Sequence, residues 1–322
     1  MVGSNDTEVT KFVFMLLPKF SLMAFTSAIE PLRIANRLSG RKIYEWRLAS
    51  DDGISATCSA GVTVNVEMGL DEVDRSETIL FCGGLSIKPA VTPRTLNWIR
   101  REARKGMPIG GLCTATYLMA KAGLLDGRKS TIHWENRESF MEDFPDHEIT
   151  TSIYTIDKNR YSSAGGTAAA DLMLRLIAND HGTDLANGIA DQMIYTTMRT
   201  DKDQQRLSIP TRIGVRHAKL STVIKMMEDN LEEPISPAIL AGDVGISTRQ
   251  LERLFRRYLN RSPKRYYMEL RLEKARNLLL QTDMSVINVA LASGFTSPSH
   301  FSKCYRMHFN TTPYRERGAQ GD

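Results

Sequence analysis

Apolar and polar positions change rhythm partway along this chain. Over about the first two hundred residues, short apolar runs alternate with amphipathic stretches of helical period; beyond residue 220 only the helical period persists. The run 11–17 is continuously apolar with aromatic and β-branched members, which suits a parallel strand buried on both faces. A helix is expected over 21–37, a strand over 44–50 and a hairpin arm over 62–66. A strand over 78–81 leads to Gly83-Gly84, where the backbone must turn sharply or approach a neighbour closely. An amphipathic helix over 95–105 precedes a strand at 108–111, and a tight turn at Cys113 enters a helix over 114–122 that Gly123 stops. A strand over 130–133, a helix over 134–141, strands over 153–156 and 161–163 joined at Asp157-Lys158-Asn159, and helices over 168–179 and 185–198 complete this part. Such alternation predicts an α/β class, a flavodoxin-like, mostly parallel sheet with helices on both faces. The polar segment 199–216, with Pro210, reads as a linker. The expected organisation is therefore a domain over 1–198, a linker over 199–218 and an all-α domain over 219–322.

The all-α part opens with a helix over 220–232 and then contains one unit written twice. Ala241, Gly245, Ile246, Leu251, Phe255, Leu259, Asn260 and Pro263 return as Ala290, Gly294, Phe295, Phe301, Tyr305, Phe309, Asn310 and Pro313, at a constant offset of 50 from Leu251 onward. Repetition of that kind, with glycine at each turn, predicts two helix–turn–helix motifs. Ser247 caps the second helix of the first motif, and Ser297 followed by Pro298 caps that of the second. Leu251, Phe255 and Leu259, and Phe301, Tyr305 and Phe309, face inward at i, i+4, i+8 spacing. The opposite faces present Arg249, Gln250 and Arg253 on one helix and Ser299, His300 and Lys303 on the other, donors suited to base edges. Arg256, Arg257 and Arg306 suit phosphates. A helix over 266–280 reads as a rigid connector fixing the separation of the two faces, and adjacent major grooves lie about 34 Å apart.

Through Ser262-Pro263, Tyr266, the connector segment 271–275, Gly294-Phe295, His300-Phe301-Ser302 and Thr312-Pro313, this part resembles the DNA-binding domain of the AraC/XylS transcriptional regulators. The resemblance implies promoter DNA and RNA polymerase as partners.

Charge strengthens that reading. The chain has 322 residues, enough for two cores, with 42 basic and 37 acidic side chains. From Arg212 onward there are 18 basic and 11 acidic residues, leaving 24 against 26 before it, so the positive charge belongs to the helical part. Cys58, Cys82, Cys113 and Cys304 have neither paired metal-ligand spacing nor the density of a disulfide scaffold, so a reducing cytoplasm is expected, without structural metal or cofactor. The N-terminus lacks a basic region followed by a long apolar run, and membrane insertion is not expected.

Candidate chemistry in the α/β part centres on Gly111-Leu112-Cys113-Thr114-Ala115, a strand–turn–helix context resembling a nucleophile elbow with cysteine in place of serine. A helix N-terminus there favours negative charge and lowers a thiol pKa, so Cys113 is expected to be easily oxidised. Gly83-Gly84 and His133-Trp134 end neighbouring strands, so their loops should converge on Cys113 at the carboxyl edge of the sheet.

With these residues the first two hundred positions resemble the class I glutamine-amidotransferase-like superfamily in its PfpI-type branch. Glu30-Pro31-Leu32-Arg33, Gly123-Leu124-Leu125-Asp126-Gly127, His133-Trp134 and Gly165-Gly166-Thr167 narrow the resemblance to the GlxA-type regulators, and the whole chain is similar to regulators of glycine betaine and carnitine catabolism. The protease-like and chaperone-like relatives carry an acid where this chain has Ala24, and the proteases a histidine where it has Thr114. With neither partner nothing activates the thiol, no catalytic residue is assigned, and an active hydrolase is the alternative. His133, His147 and His181 read as structural. The resemblance implies a domain that binds a small metabolite and mediates dimerisation. N–H groups around Gly84, Cys113 and Thr114 suit a carboxylate, Trp134 and Phe20 offer aromatic faces to a cation, and Glu135 adds charge. The expected effector is a methylated-amine zwitterion such as glycine betaine or carnitine, with an amino acid such as arginine as the alternative.

Overall fold

The computed structural model describes residues 9–206 and 208–318; the outer ends of both expected domains, 1–8 and 319–322, lie outside the described residues. It divides into two compact units, Met1–Gln205 and Arg206–Asp322.

The first unit is built on a seven-stranded sheet. Its elements are β1 (Thr10–Leu16), α1 (Leu22–Ser39), β2 (Tyr44–Ser50), the separate hairpin β3 (Ser55–Thr57) and β4 (Thr63–Asn65), β5 (Met68–Gly69), β6 (Thr78–Cys82), α2 (Pro93–Arg104), β7 (Ile109–Leu112), α3 (Thr116–Lys121), α4 (Arg137–Asp143), β8 (Tyr154–Asp157), β9 (Arg160–Ser163), α5 (Ala168–His181) and α6 (Thr183–Gln192). Strand order is β5-β2-β1-β6-β7-β9-β8, parallel except for the β8–β9 pair. Alternation along β1 shows why the run is continuously apolar. Phe12, Phe14 and Leu16 enter one core with residues of α1, α5 and α6, while Val13, Met15 and Leu17 enter another with residues of α2, α3 and α4. The register places Leu16 beside Cys82, Cys82 beside Leu112 and Leu112 beside Ser163, so the strands end level and their loops meet at one edge.

Two expected elements differ. Residues 131–133 form no strand; only Ser130 makes an isolated bridge, to Ile149. Side chains replace the ladder there: the Thr131 N–H donates to Ser162 Oγ (2.9 Å), and the Thr116 hydroxyl donates to the Thr131 carbonyl (2.7 Å). The helix expected over 185–198 ends at Gln192, after which Ile194 adopts a left-handed φ of 54°.

The chain then folds back, so the expected linker is not a free connector. Asp171, 2% exposed on α5, accepts from the Arg199 backbone N–H (2.8 Å), from Arg199 Nη2 (2.7 Å) and from the Tyr195 hydroxyl (2.9 Å). Arg199 Nη2 also donates to Thr167 Oγ1 (2.7 Å), and Gln205 Nε2 donates to Thr131 Oγ1 (2.8 Å) and the Ile132 carbonyl (2.9 Å). Residues 195–205 thus belong to the first unit, because a buried carboxylate requires a paired cation.

The second unit contains α7 (Ile209–Ile213), α8 (Ala218–Asp229), α9 (Pro237–Asp243), α10 (Thr248–Leu259), α11 (Pro263–Gln281), α12 (Val286–Ala292), α13 (Pro298–Phe309) and α14 (Pro313–Gly318). Helix α7 lies inside the expected linker, and Arg212 on it is fixed to Glu228 of α8 by paired bonds of 2.8 and 3.0 Å. Two apolar cores follow the duplication. One gathers Leu220, Ile224, Leu240, Leu251, Phe255 and Tyr267; the other gathers Leu272, Leu278, Val289, Phe295, Phe301 and Tyr305. Among the described residues no helix is long and apolar enough to cross a membrane.

Replacing Arg199 with alanine should strand Asp171 and destabilise the first unit by roughly 2–4 kcal/mol. Urea unfolding followed by probes in each unit should show the first transition moved to lower denaturant and the second unchanged.

Candidate functional site

The second unit presents two recognition helices built alike. Ser247 Oγ accepts from the Gln250 N–H (3.2 Å) at the start of α10, and Ser297 Oγ accepts from the His300 N–H (3.3 Å) at the start of α13. Both helices end on an asparagine in left-handed conformation, Asn260 (φ 53°) and Asn310 (φ 56°). Leu251 and Phe255 are buried on one, Phe301 and Tyr305 on the other. Arg249, Gln250, Arg253, Arg256 and Arg257 are exposed together, as are Ser299, His300, Lys303 and Arg306.

Two of these side chains carry local duties. Gln250 Oε1 accepts from the Ser247 N–H (2.8 Å), closing a capping box, so only its amide donors face outward. His300 Nε2 lies 3.4 Å from Cys304 Sγ. Each turn is braced from a preceding helix. Lys219 of α8 donates to the Gly245 carbonyl (3.2 Å), and Arg271 of α11 donates to the carbonyls of Ser293 (2.9 Å) and Gly294 (2.5 Å) while its guanidinium sits 4.2 Å from the centre of the Phe295 ring.

In the first unit, Cys113 stands at a sharp turn after β7 with φ of 61°. The strained backbone fits an elbow, but the surroundings do not make a nucleophile. Cys113 is 8% exposed, and burial pushes its thiol up to about 11, against the Thr114 N–H, which favours the thiolate, and with Glu135, which opposes it. The expected lowering does not appear, because desolvation of the buried thiol outweighs the one N–H, of Thr114, that favours the thiolate. Ala24 is fully buried, and the Thr114 hydroxyl donates to the Gly84 carbonyl (2.8 Å). Gly165 closes the other side: a Cβ there would lie 2.6 Å from that of Cys113.

Gly84, Cys113 and Thr114 are thus brought together, and Glu135 lies near enough to act on the thiol. Trp134 is 41% exposed, with its ring 5.6 Å from that of His133. Burial holds the His133 imidazole below its ordinary range, and its Nδ1 accepts from the Glu135 N–H (3.4 Å). Phe20 offers no face to a ligand. It is fully buried and edge-on to Phe25 at 5.9 Å, so that aromatic expectation is corrected. Among the described residues, no cluster of three or more histidine, cysteine or acidic side chains is arranged to hold a metal.

Sequence reasoning passed over a cleft at the same sheet edge, between the ends of β1 and β2 and the β3–β4 hairpin, where Lys19, Asp51 and Asp52 lie. Its signal was the run Ser50-Asp51-Asp52-Gly53 directly after a strand, which by itself reads as an ordinary turn.

Comparison with known proteins accords with this geometry. Residues 10–179 match the DJ-1/PfpI family, and residues 240–319 match a helix-turn-helix domain. The HTH-type transcriptional regulator GbdR of Pseudomonas aeruginosa is 44% identical over 307 residues, covering 95% of this chain and 84% of that protein. The regulator CdhR of the same species is 44% identical over 95% of this chain and 91% of its own length, and GlxA of Rhizobium meliloti is 35% identical over the full length of both. Among solved structures, an AraC family transcriptional regulator from Pseudomonas putida superposes with TM-score 0.52 at 31% identity, covering 57% of this chain and 99% of that one. Drosophila melanogaster DJ-1beta, at 19% identity and TM-score 0.51 over 59% of this chain and all of its own, shares the fold.

Alkylation followed site by site should find Cys113 nearly inert at pH 7, because its thiol titrates at about 11. Its labelling rate should rise about tenfold per pH unit between 7 and 10. A plateau below pH 8 would show an activated thiolate instead.

Proposed function

Since the chain belongs to the DJ-1/PfpI family and is a DNA-binding transcriptional regulator of the GlxA-type subgroup, we propose that it activates a catabolic operon in response to a small zwitterionic metabolite sensed by its first unit. The observation that carries this reading is the pair of recognition helices, each capped, each buried on its aromatic and aliphatic side, and each exposed on its donor side. Arg249 and Arg253 of α10, with the amide donors of Gln250, read base edges in one major groove. Ser299, His300 and Lys303 of α13 read the next. Arg256, Arg257 and Arg306 hold phosphates, where charge matters more than direction.

The effector is glycine betaine, carnitine or a related amino acid, taken at the carboxyl edge of the sheet. Support comes from the loops that meet there and from the similarity to GbdR and CdhR. Trp134 and Glu135 are one candidate cation site at that edge, with Gly84, Cys113 and Thr114 beside them. The thiol held protonated and walled by Gly165 argues for a binding fold in place of hydrolysis. A homodimer that engages RNA polymerase is the assembly implied by resemblance to the AraC/XylS regulators. Four unpaired cysteines support a cytoplasmic setting.

Arg253→Ala should relax base preference in one half of the binding site and Lys303→Ala in the other, each by about 1–3 kcal/mol. Arg256→Ala should weaken binding evenly across sequences and lower the salt slope by about one. Footprinting and anisotropy titrations at several salt concentrations measure both; wild-type protection by the Arg253 and Lys303 variants would reject these faces. Purified protein should show no cysteine-dependent hydrolysis, and Cys113→Ser should retain promoter binding. Turnover that this substitution abolishes would instead identify an enzyme.

A further inference from the structure

The cleft beside β1 and β2 is set apart from Cys113 and is formed as a ligand site. It has a volume of about 710 Å³, within the range of roughly 300–1,000 Å³ usual for small-molecule sites. It lies at the carboxyl ends of β1 and β2, the edge of an open α/β sheet at which ligands usually bind.

Its walls are fixed by backbone bonds. The Lys19 N–H donates to the Thr57 carbonyl (2.9 Å), the Ser59 N–H to the Phe20 carbonyl (2.9 Å), and the Leu85 N–H to the Lys19 carbonyl (3.1 Å). These bonds hold Lys19 in a left-handed conformation, φ 56°, which a lysine seldom adopts unless its surroundings impose it. Its exposed ammonium enters no hydrogen bond or ion pair among the described residues. Asp52 lines the same cleft and is held in place locally: its Oδ1 accepts from Ser50 Oγ (2.6 Å), the Ile54 N–H (2.8 Å) and the Ser55 N–H (3.1 Å). Those bonds, the Ser50 hydroxyl first, hold the carboxyl below its ordinary range, so it is ionised at neutral pH. Asp51 adds a second carboxylate, steadied by Arg94 at 3.2 Å. Leu16, Ala56 and Leu85 also line the cleft.

We propose that this cleft is the effector site of the first unit and takes a compact zwitterion, its carboxylate held by Lys19 and its cationic nitrogen by Asp52 and Asp51. The assignment rests on the reading of this unit as a sensor of zwitterions and gives that reading an address. The apolar residues accept the carbon skeleton. The same loop ties the cleft to the elbow, because the Gly84 residue packed on Lys19 is the one whose carbonyl takes the Thr114 hydroxyl.

Calorimetric titration of the full chain with glycine betaine, carnitine and arginine tests this, using wild type, Lys19→Gln, Asp52→Asn and Trp134→Leu. At least one probe should bind wild type. Lys19→Gln should raise its Kd about tenfold or more, as expected for loss of one charged hydrogen bond to the carboxylate, and Asp52→Asn should weaken binding by removing the ionic contact to the cationic nitrogen, each more than Trp134→Leu does. If Asp52→Asn loosens the turn, Lys19→Gln decides alone, since its ammonium holds nothing in the fold. Unchanged binding by Lys19→Gln would overturn the cleft, and loss confined to Trp134→Leu would move the ligand to the elbow, both leaving the sensor reading intact. Failure of every probe to bind wild type would overturn the sensor reading and the cleft together.

Discussion

Helix α11 belongs to two hydrophobic cores at once, and the DNA-reading geometry depends on that constraint. Tyr267 is buried in the core of the first helix–turn–helix, and Leu272, Ala275, Leu278 and Leu279 in that of the second. The Tyr267 hydroxyl also donates to the Asn230 carbonyl and accepts from the Ile235 N–H (3.3 Å), which locks the entry to α9. One rigid helix buried at both ends cannot slide without opening apolar surface on one side, at about 25 cal/mol per Å² exposed. The spacing of α10 and α13 is therefore a property of packing, and the exposed arginines and lysine inherit it.

The first unit uses a different device. Strands that end level bring the loops after β1, β6, β7 and β9 to one edge, as the shared register of Leu16, Cys82, Leu112 and Ser163 requires. Residues 195–205 then bond to one of these loops and to the segment between α3 and α4. Arg199 holds Thr167, two residues beyond Gly165, and Gln205 holds Thr131 and Ile132, directly before His133 and Trp134. The segment that precedes the DNA-binding unit in sequence is thus fastened to the loops at the candidate effector edge.

The elbow keeps its strained turn with Ala24 and Thr114 where the resemblance implies an acid and a histidine. Cys113 retains the left-handed turn, yet its thiol is buried, its neighbour Thr114 is committed to Gly84, and Ala24 occupies the place of the acid. Gly165 packs directly against Cys113, at a distance that leaves no room for a Cβ.

What the sequence by itself determined was whatever depends on local periodicity. The strand Tyr44–Ser50, the caps Ser247 and Ser297, the duplicated apolar rows and the sites of positive charge were all legible, since each follows from residue spacing alone. Ala24 and Thr114, at the positions where the resemblance implies an acid and a histidine, were legible in the same way. Other features were decided only by tertiary contacts. Residues 131–133 resemble a strand but Thr131 satisfies its backbone through Ser162 and Thr116, and the polar run from Arg199 resembles a linker until the buried Asp171 captures Arg199. The Cys113 thiol rises because desolvation outweighs the Thr114 N–H, a balance that no local pattern encodes. The cleft could not be read because Lys19, Asp52 and Leu85, which line it, are far apart in the chain and meet only when β2, β1 and β6 pair side by side.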